Sequence, residues 1–151
     1  MVIKKLLIIM FVSVIYVTNL NIPVTAEENE QDVIFSPNWM IEDGYKEEIE
    51  ENQEILPFTT IVNVNWKVGV KTEKKTKAFH KKAGSKIIVD ISVLQKKKAY
   101  IGIVAKNIGK IYVDTTDKAK KTFNIKKTGE YSVFVTNKSD STIHVVGNYT
   151  K

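Results

Sequence analysis

The chain has no cysteine and no arginine, two histidines and three prolines in 151 residues. Without cysteine there is no disulfide framework, although small secreted domains often rely on one. There is also no thiolate for a structural zinc site, and no cysteine to carry a lipid at a processed N-terminus. Without arginine the chain lacks the planar fork that reads phosphates and base edges in bidentate fashion. All 23 of its basic residues are lysines. Specific nucleic-acid recognition is therefore not expected. After Val17 no apolar run approaches the roughly 18–20 residues needed to span a bilayer as a helix.

What the N-terminus does have is an export pattern. Lys4 and Lys5 precede an uncharged apolar run from Leu6 to Val17, Pro23 stops any continuing helix, and Val24-Thr25-Ala26 is a small-residue cleavage site. Residues 1–26 read as a signal peptide cleaved after Ala26, which makes the expected localisation secreted and extracellular.

Charge then divides the remainder. From Glu27 to Glu54 eleven acidic residues face one lysine, a net −10. From Ile55 to Lys151 twenty lysines face six acids, a net +14. Such asymmetry points to an interaction tail or a charged partner. Within the acidic segment, 27–56, the stretch Glu27 to Asp32 reads as disordered. Ser36-Pro37 can start a helix, on which Ile41, Tyr45 and Ile49 would form one apolar stripe. Crowded glutamates at i,i+4 weaken that helix, which is expected to be short and marginal.

Beyond Pro57 the period becomes two. Phe58, Thr60, Val62, Val64, Trp66, Val68 and Val70 alternate with polar residues. Ile87, Val89, Ile91 and Val93 repeat the pattern, as do Ile101 and Ile103, Tyr131 to Val135, and Ile143 to Tyr149. Turn chemistry separates them at 82–85, 107–109, 127–129 and 137–140. About eight short strands with no helical period between them predict an all-β, antiparallel, jelly-roll-like β-sandwich over residues 57–151.

Residues 101–103 (IGI), 123–125 (FNI), 129–137 (GEYSVFVTN) and 143–149 (IHVVGNY) carry a likeness to a known group. This stretch, about a third of the chain, resembles small secreted β-sandwich proteins of Gram-positive bacteria. The resemblance implies the fold, an extracellular setting and a binding or accessory role. It carries over no catalytic residue.

Candidate chemistry is sparse. His80 and His144 fall on outward phases, and two histidines fall short of the three or four ligands a metal site needs. Asp114 and Asp117 lack the ligand series of a calcium loop. Six acids in the β domain offer no facing pair for glycosidase work, and no nucleophile-elbow motif occurs. No catalytic residue, cofactor site or metal site is expected, and the protein is not expected to be an enzyme.

The lysines are the strongest signal. Lys74, Lys75, Lys77, Lys81, Lys82, Lys96, Lys97, Lys98, Lys118, Lys120 and Lys121 cluster in turns and at strand ends, and Lys126-Lys127 forms a further pair. They are the candidate contacts to an anionic cell-wall polymer, polysaccharide or lipid surface. Plain solvation of loops and blunting of edge strands is the competing explanation. Tyr100, Tyr112 and Phe134 share an outward phase and are candidate partner-contact aromatics. If another element covers them, Ile41, Tyr45 and Ile49 should pack on that face. The expected function is a secreted non-catalytic binding protein. The alternative is a cationic toxin or bacteriocin-like effector masked by its acidic segment.

Overall fold

Alternating side chains become strand wherever one of the two faces can be buried. The computed structural model describes residues 31–51 and 60–151, and among these it forms eleven strands and no helix. The expected signal peptide lies outside the described residues. In chain order the strands are β1 (Val33–Ser36), β2 (Lys46–Glu50), β3 (Ile61–Val68), β4 (Thr72–Thr76), β5 (Phe79–Lys81), β6 (Lys86–Val93), β7 (Ala99–Ala105), β8 (Gly109–Thr115), β9 (Lys118–Asn124), β10 (Gly129–Asn137) and β11 (Ile143–Thr150).

They build two sheets, compatible with a β-sandwich. One has seven strands in the order β1-β8-β7-β10-β4-β2, with β5 also paired to β10; the other runs β3-β11-β6-β9. Pairing is antiparallel throughout except between β2 and β4. From β3 onward the antiparallel pairs are nested: β3 with β11, β4 with β10, β6 with β9 and β7 with β8.

The core fills the space between the sheets. Val62, Val64, Trp66 and Val68 from β3 meet Ile87, Val89, Ile91 and Val93 from β6, and Val145 and Tyr149 from β11. Ile101, Ile103, Val113, Val133 and Val135 come from the other sheet. Each fully buried aliphatic side chain contributes about 1.5–3 kcal/mol. This burial has to stabilise the domain without help from any disulfide.

The helix expected from Ser36 onward is not there. Residues 37–45 are irregular, and Lys46–Glu50 is strand. The reason is electrostatic. In a helix the glutamates would crowd one another, whereas in extended β2 Glu47 reaches Lys75 and Glu50 reaches Lys74, both on β4. The segment from β1 to β2 is thus a strap. It leaves the β8 edge at Ser36, opposite Lys110, crosses the outer face of the seven-stranded sheet, and rejoins that sheet beyond β4.

Two glycines permit close approaches. A side chain at Gly109 (φ +125°) would lie 2.2 Å from the Ser36 carbonyl oxygen, where the strap begins. One at Gly147 (φ +150°) would lie 2.0 Å from the Asp90 carbonyl oxygen on the neighbouring strand. Backbone strain alone at such a position costs on the order of 1–3 kcal/mol. Gly147→Ala should therefore destabilise the domain by at least that much, read as a lower urea midpoint with unchanged slope. An unchanged midpoint would mean that β6 and β11 do not lie this close.

Candidate functional site

Nested pairing sends the connections to two opposite ends of the sandwich. One end carries the β3–β4, β6–β7, β8–β9 and β10–β11 connections; the other carries the β5–β6, β7–β8 and β9–β10 connections. Lysines are present at both ends, but their surroundings differ.

At the first end the Lys96–Lys98 run meets carboxylates from two neighbouring loops. Lys96 pairs with Asp117, Lys98 with Asp114 at 3.1 Å, and Lys97 more loosely with Asp140 at 3.8 Å. The Asp114 hydrogen bond holds the Lys98 ammonium above its ordinary pKa. Nearby, Lys118 pairs with Asp90 across the β6–β9 ladder at 2.8 Å. The Asp114–Asp117 turn thus uses its carboxylates on lysines.

At the opposite end the β5–β6 and β9–β10 loops are stitched together. Gly84 donates to the Ile125 carbonyl, Ile125 donates to that of Ser85, and the Ala83 amide donates to the Thr128 hydroxyl. This brings Lys81, Lys82 and Lys86 beside Lys126 and Lys127, with Lys77 on the short link before β5. None of these six has an ion-pair partner among the described residues. The acid nearest to them in the sheet, Glu130, is hydrogen-bonded to His80 at 3.0 Å.

Of the expected contact lysines, Lys81 and Lys82 therefore lie at this basic pole, and Lys77, on the link between β4 and β5, lies level with the middle of β10. Lys96, Lys97, Lys98 and Lys118 are at the other end, and Lys74 and Lys75 are held by the strap. Lys120 and Lys121 lie on β9, whose free edge is bridged by Gln31: its side-chain oxygen accepts from the Lys120 amide and its backbone carbonyl from the Lys121 ammonium. Lys86 joins the pole although it belongs to no lysine run. The turn after Lys82 and the pairing of β6 with β9, Lys86 opposite Asn124, bring it there.

No family model, curated protein or solved structure matches the chain. Its chemistry has to be read from its own geometry.

Tyr100, Tyr112 and Phe134 do project from the outer face of the seven-stranded sheet. Tyr100 and Tyr112 stack at 4.7 Å, and Phe134 meets Tyr112 edge-on at 6.1 Å. The strap covers them. Lys138 stands over both the Tyr45 and Tyr100 rings, at 4.8 and 5.0 Å, and pairs with Glu42 at 2.7 Å. Burial opposes the charge on Lys138, but hydrogen bonds to Glu42 and Tyr45 outweigh it and raise its pKa above the usual lysine value. Burial likewise pushes the Tyr112 hydroxyl upward. Tyr45 of the anticipated stripe thus reaches the covered face, whereas Ile49 is half exposed.

Beneath the strap lies a polar network. Lys110 Nζ donates to Glu73 Oε2 at 2.7 Å, and the Thr136 hydroxyl donates to the same oxygen at 2.7 Å. Glu73 and Lys110 are both buried, and Glu73 Oε1 has no hydrogen-bond partner among the described residues. A small cavity of about 50 Å³ separates strap from sheet, lined by Met40 and Glu42 above and by Tyr100, Tyr112, Phe134 and Lys110 below.

The histidines lie on different sheets. His80 pairs with Glu130 on one, and His144 Nε2 meets Asn65 Oδ1 at 2.5 Å on the other. Among the described residues no group of three potential metal ligands occurs.

Removing one partner of a buried ion pair costs about 3–5 kcal/mol, while replacing both by apolar residues is often neutral. Lys110→Met should therefore destabilise strongly, and Glu73→Leu combined with Lys110→Met should recover most of the loss in urea unfolding. Equal stability of the single and double variants would show that Glu73 does not depend on Lys110.

Proposed function

We propose that this chain is a secreted, non-catalytic β-sandwich protein that binds an anionic envelope polymer or surface through its basic pole. The observation that carries this reading is the contrast between the two ends. Acids meet Lys96, Lys97, Lys98 and Lys118 at one end, while Lys81, Lys82, Lys86, Lys126 and Lys127 gather at the other with no ion-pair partner among the described residues, the one carboxylate beside them, Glu130, being hydrogen-bonded to His80. Flexible point charges on two joined loops suit a polymer or surface with repeated negative groups better than one shaped anion. Export is supported by Lys4-Lys5, the apolar run to Val17 and the Val24-Thr25-Ala26 site. The nested pairing supports a jelly roll, a ribbon of paired strands rolled into two Greek keys. This fits the resemblance of residues 100–149 to small secreted sandwiches of Gram-positive bacteria.

Charge-driven retention fades with salt, because exposed charges are screened over about 8–10 Å at physiological ionic strength. The test is co-sedimentation with purified cell walls and with anionic vesicles at rising salt. Replacing Lys82, Lys86, Lys126 and Lys127 by Ser should remove retention at low salt. The same replacement at Lys96, Lys97 and Lys98 should change it little. Equal losses from both variants, or no retention of the unmodified protein, would overturn the proposal.

The strap favours a second reading, that of a cationic effector whose acidic segment masks it. Glu42, Glu47 and Glu50 already neutralise Lys138, Lys75 and Lys74. Mass spectrometry of the secreted form separates the two: a mature N-terminus near Leu56 supports masking, and one at Glu27 supports the first reading.

A further inference from the structure

The strap is attached in an unusual way for a segment that crosses a whole sheet. Besides the β1–β8 and β2–β4 ladders at its two ends, its fixed points are charges: Glu42 to Lys138, Glu47 to Lys75 and Glu50 to Lys74. Its apolar side chains contribute little, since Phe35 and Met40 are 59% exposed and Ile49 is 51% exposed. Ion pairs of this partly exposed kind contribute about 0–1 kcal/mol each. Its last strand, β2, pairs in parallel, the slightly weaker arrangement per residue.

The covered face is also unlike a permanent core. A surface meant to stay closed is better served by apolar residues than by a buried ion pair. Here Lys110 and Glu73 sit under the strap, one carboxylate oxygen unpartnered among the described residues, with a cavity between the two layers. The edge of β4 on which β2 pairs, Lys74, Lys75 and Lys138, and the Tyr100–Tyr112–Phe134 cluster together form a groove for an extended acidic segment.

We infer that this groove accepts, in trans, the acidic segment of a second copy of the chain. The segment fits by construction, because the same residues fill the same groove in cis. Exchange of an identical element between copies is a low-cost route to association. In cis the strap holds an effective concentration in the millimolar range, so the groove opens to a second copy only when the ion pairs weaken. Salt is the lever for this, not neutral pH. Lys138, with its raised pKa, keeps its full contribution below the ordinary lysine pKa and loses it only as pH rises through the folded value. The inference does not involve the basic pole, and it needs no cleavage of the chain.

The test uses the full chain and a labelled synthetic peptide of residues 31–51. The triple variant Glu42→Gln, Glu47→Gln, Glu50→Gln keeps its domain intact but loosens its own strap. By fluorescence anisotropy it should bind the peptide at least about tenfold more tightly than the unmodified chain does, since the competing cis strap is weakened. A scrambled peptide of equal composition should bind neither. The complementary experiment is native mass spectrometry after dialysis from high to low salt at high protein concentration. The unmodified chain should give dimers and the triple variant fewer, because it accepts but donates poorly. In hydrogen exchange on the unmodified chain, added salt should speed the Lys46–Glu50 amides while the β10 amides stay protected. Equal binding of the scrambled peptide, no peptide binding by a folded triple variant, or β2 amides as protected as those of β10 at high salt would each overturn the inference.

Discussion

Pairing the first strand of the domain with its last is the constraint on which the remaining architecture rests. Once β3 lies beside β11, the remaining antiparallel pairs nest inside that one, and successive strands pass back and forth between the sheets. All connections then fall at two ends. Side chains distant in sequence, such as Lys82 and Lys127, become neighbours because their loops share hydrogen bonds. Gly147 makes the arrangement sterically feasible by letting β11 lie against the Asp90–Ile91 backbone. The fold thus creates the charge polarity; the lysine runs alone do not.

The same constraint leaves one sheet face in need of a cover. On the seven-stranded sheet, β7 and β10 are buried on both sides, with Ile101 and Val133 facing the core and Phe134 and Thr136 facing the strap. Chain outside the nested hairpin has to supply that cover, and the acidic segment does. Its mode of attachment follows from its composition. Glutamates contribute ion pairs and little apolar area, so the strap lies on the sheet without merging into the core. That is why a cavity and a buried ion pair persist beneath it.

Much of this was legible in the residues. Strict alternation gave the inward faces of β3, β6 and β11, because a period of two admits only one burial pattern once a face is chosen. It also placed Tyr100, Tyr112 and Phe134 outward. What alternation could not supply was partnership between strands. Lys86 looked like any strand-end lysine, and the turn after Lys82 and its place opposite Asn124 join it to Lys126 and Lys127. The spacing of Ile41, Tyr45 and Ile49 read as a helical stripe, but periodicity in a short segment yields to long-range charge. Glu47 and Glu50 gain lysine partners only when extended. Glu73, surrounded by lysines in sequence, gave no sign that it would be buried with Lys110.

The six acids in the β domain are distributed unevenly. Asp114, Asp117 and Asp140 offset the Lys96–Lys98 run, and Asp90 offsets Lys118. Glu73 pairs with Lys110 beneath the strap, and Glu130 is hydrogen-bonded to His80. The strap's own glutamates offset Lys74, Lys75 and Lys138. Five of the six acids therefore pair with lysines other than those of the β5–β6 and β9–β10 loops, and the sixth, Glu130, is hydrogen-bonded to His80 beside them. Solvation alone would be served equally well by positive charge scattered over all loops. Carboxylates paired elsewhere leave Lys81, Lys82, Lys86, Lys126 and Lys127 without ion-pair partners among the described residues, so the fields of these neighbouring lysines add. The lysines of this end are also not those that the strap holds, Lys74, Lys75 and Lys138, so the two concentrations of positive charge are built from different elements of the fold.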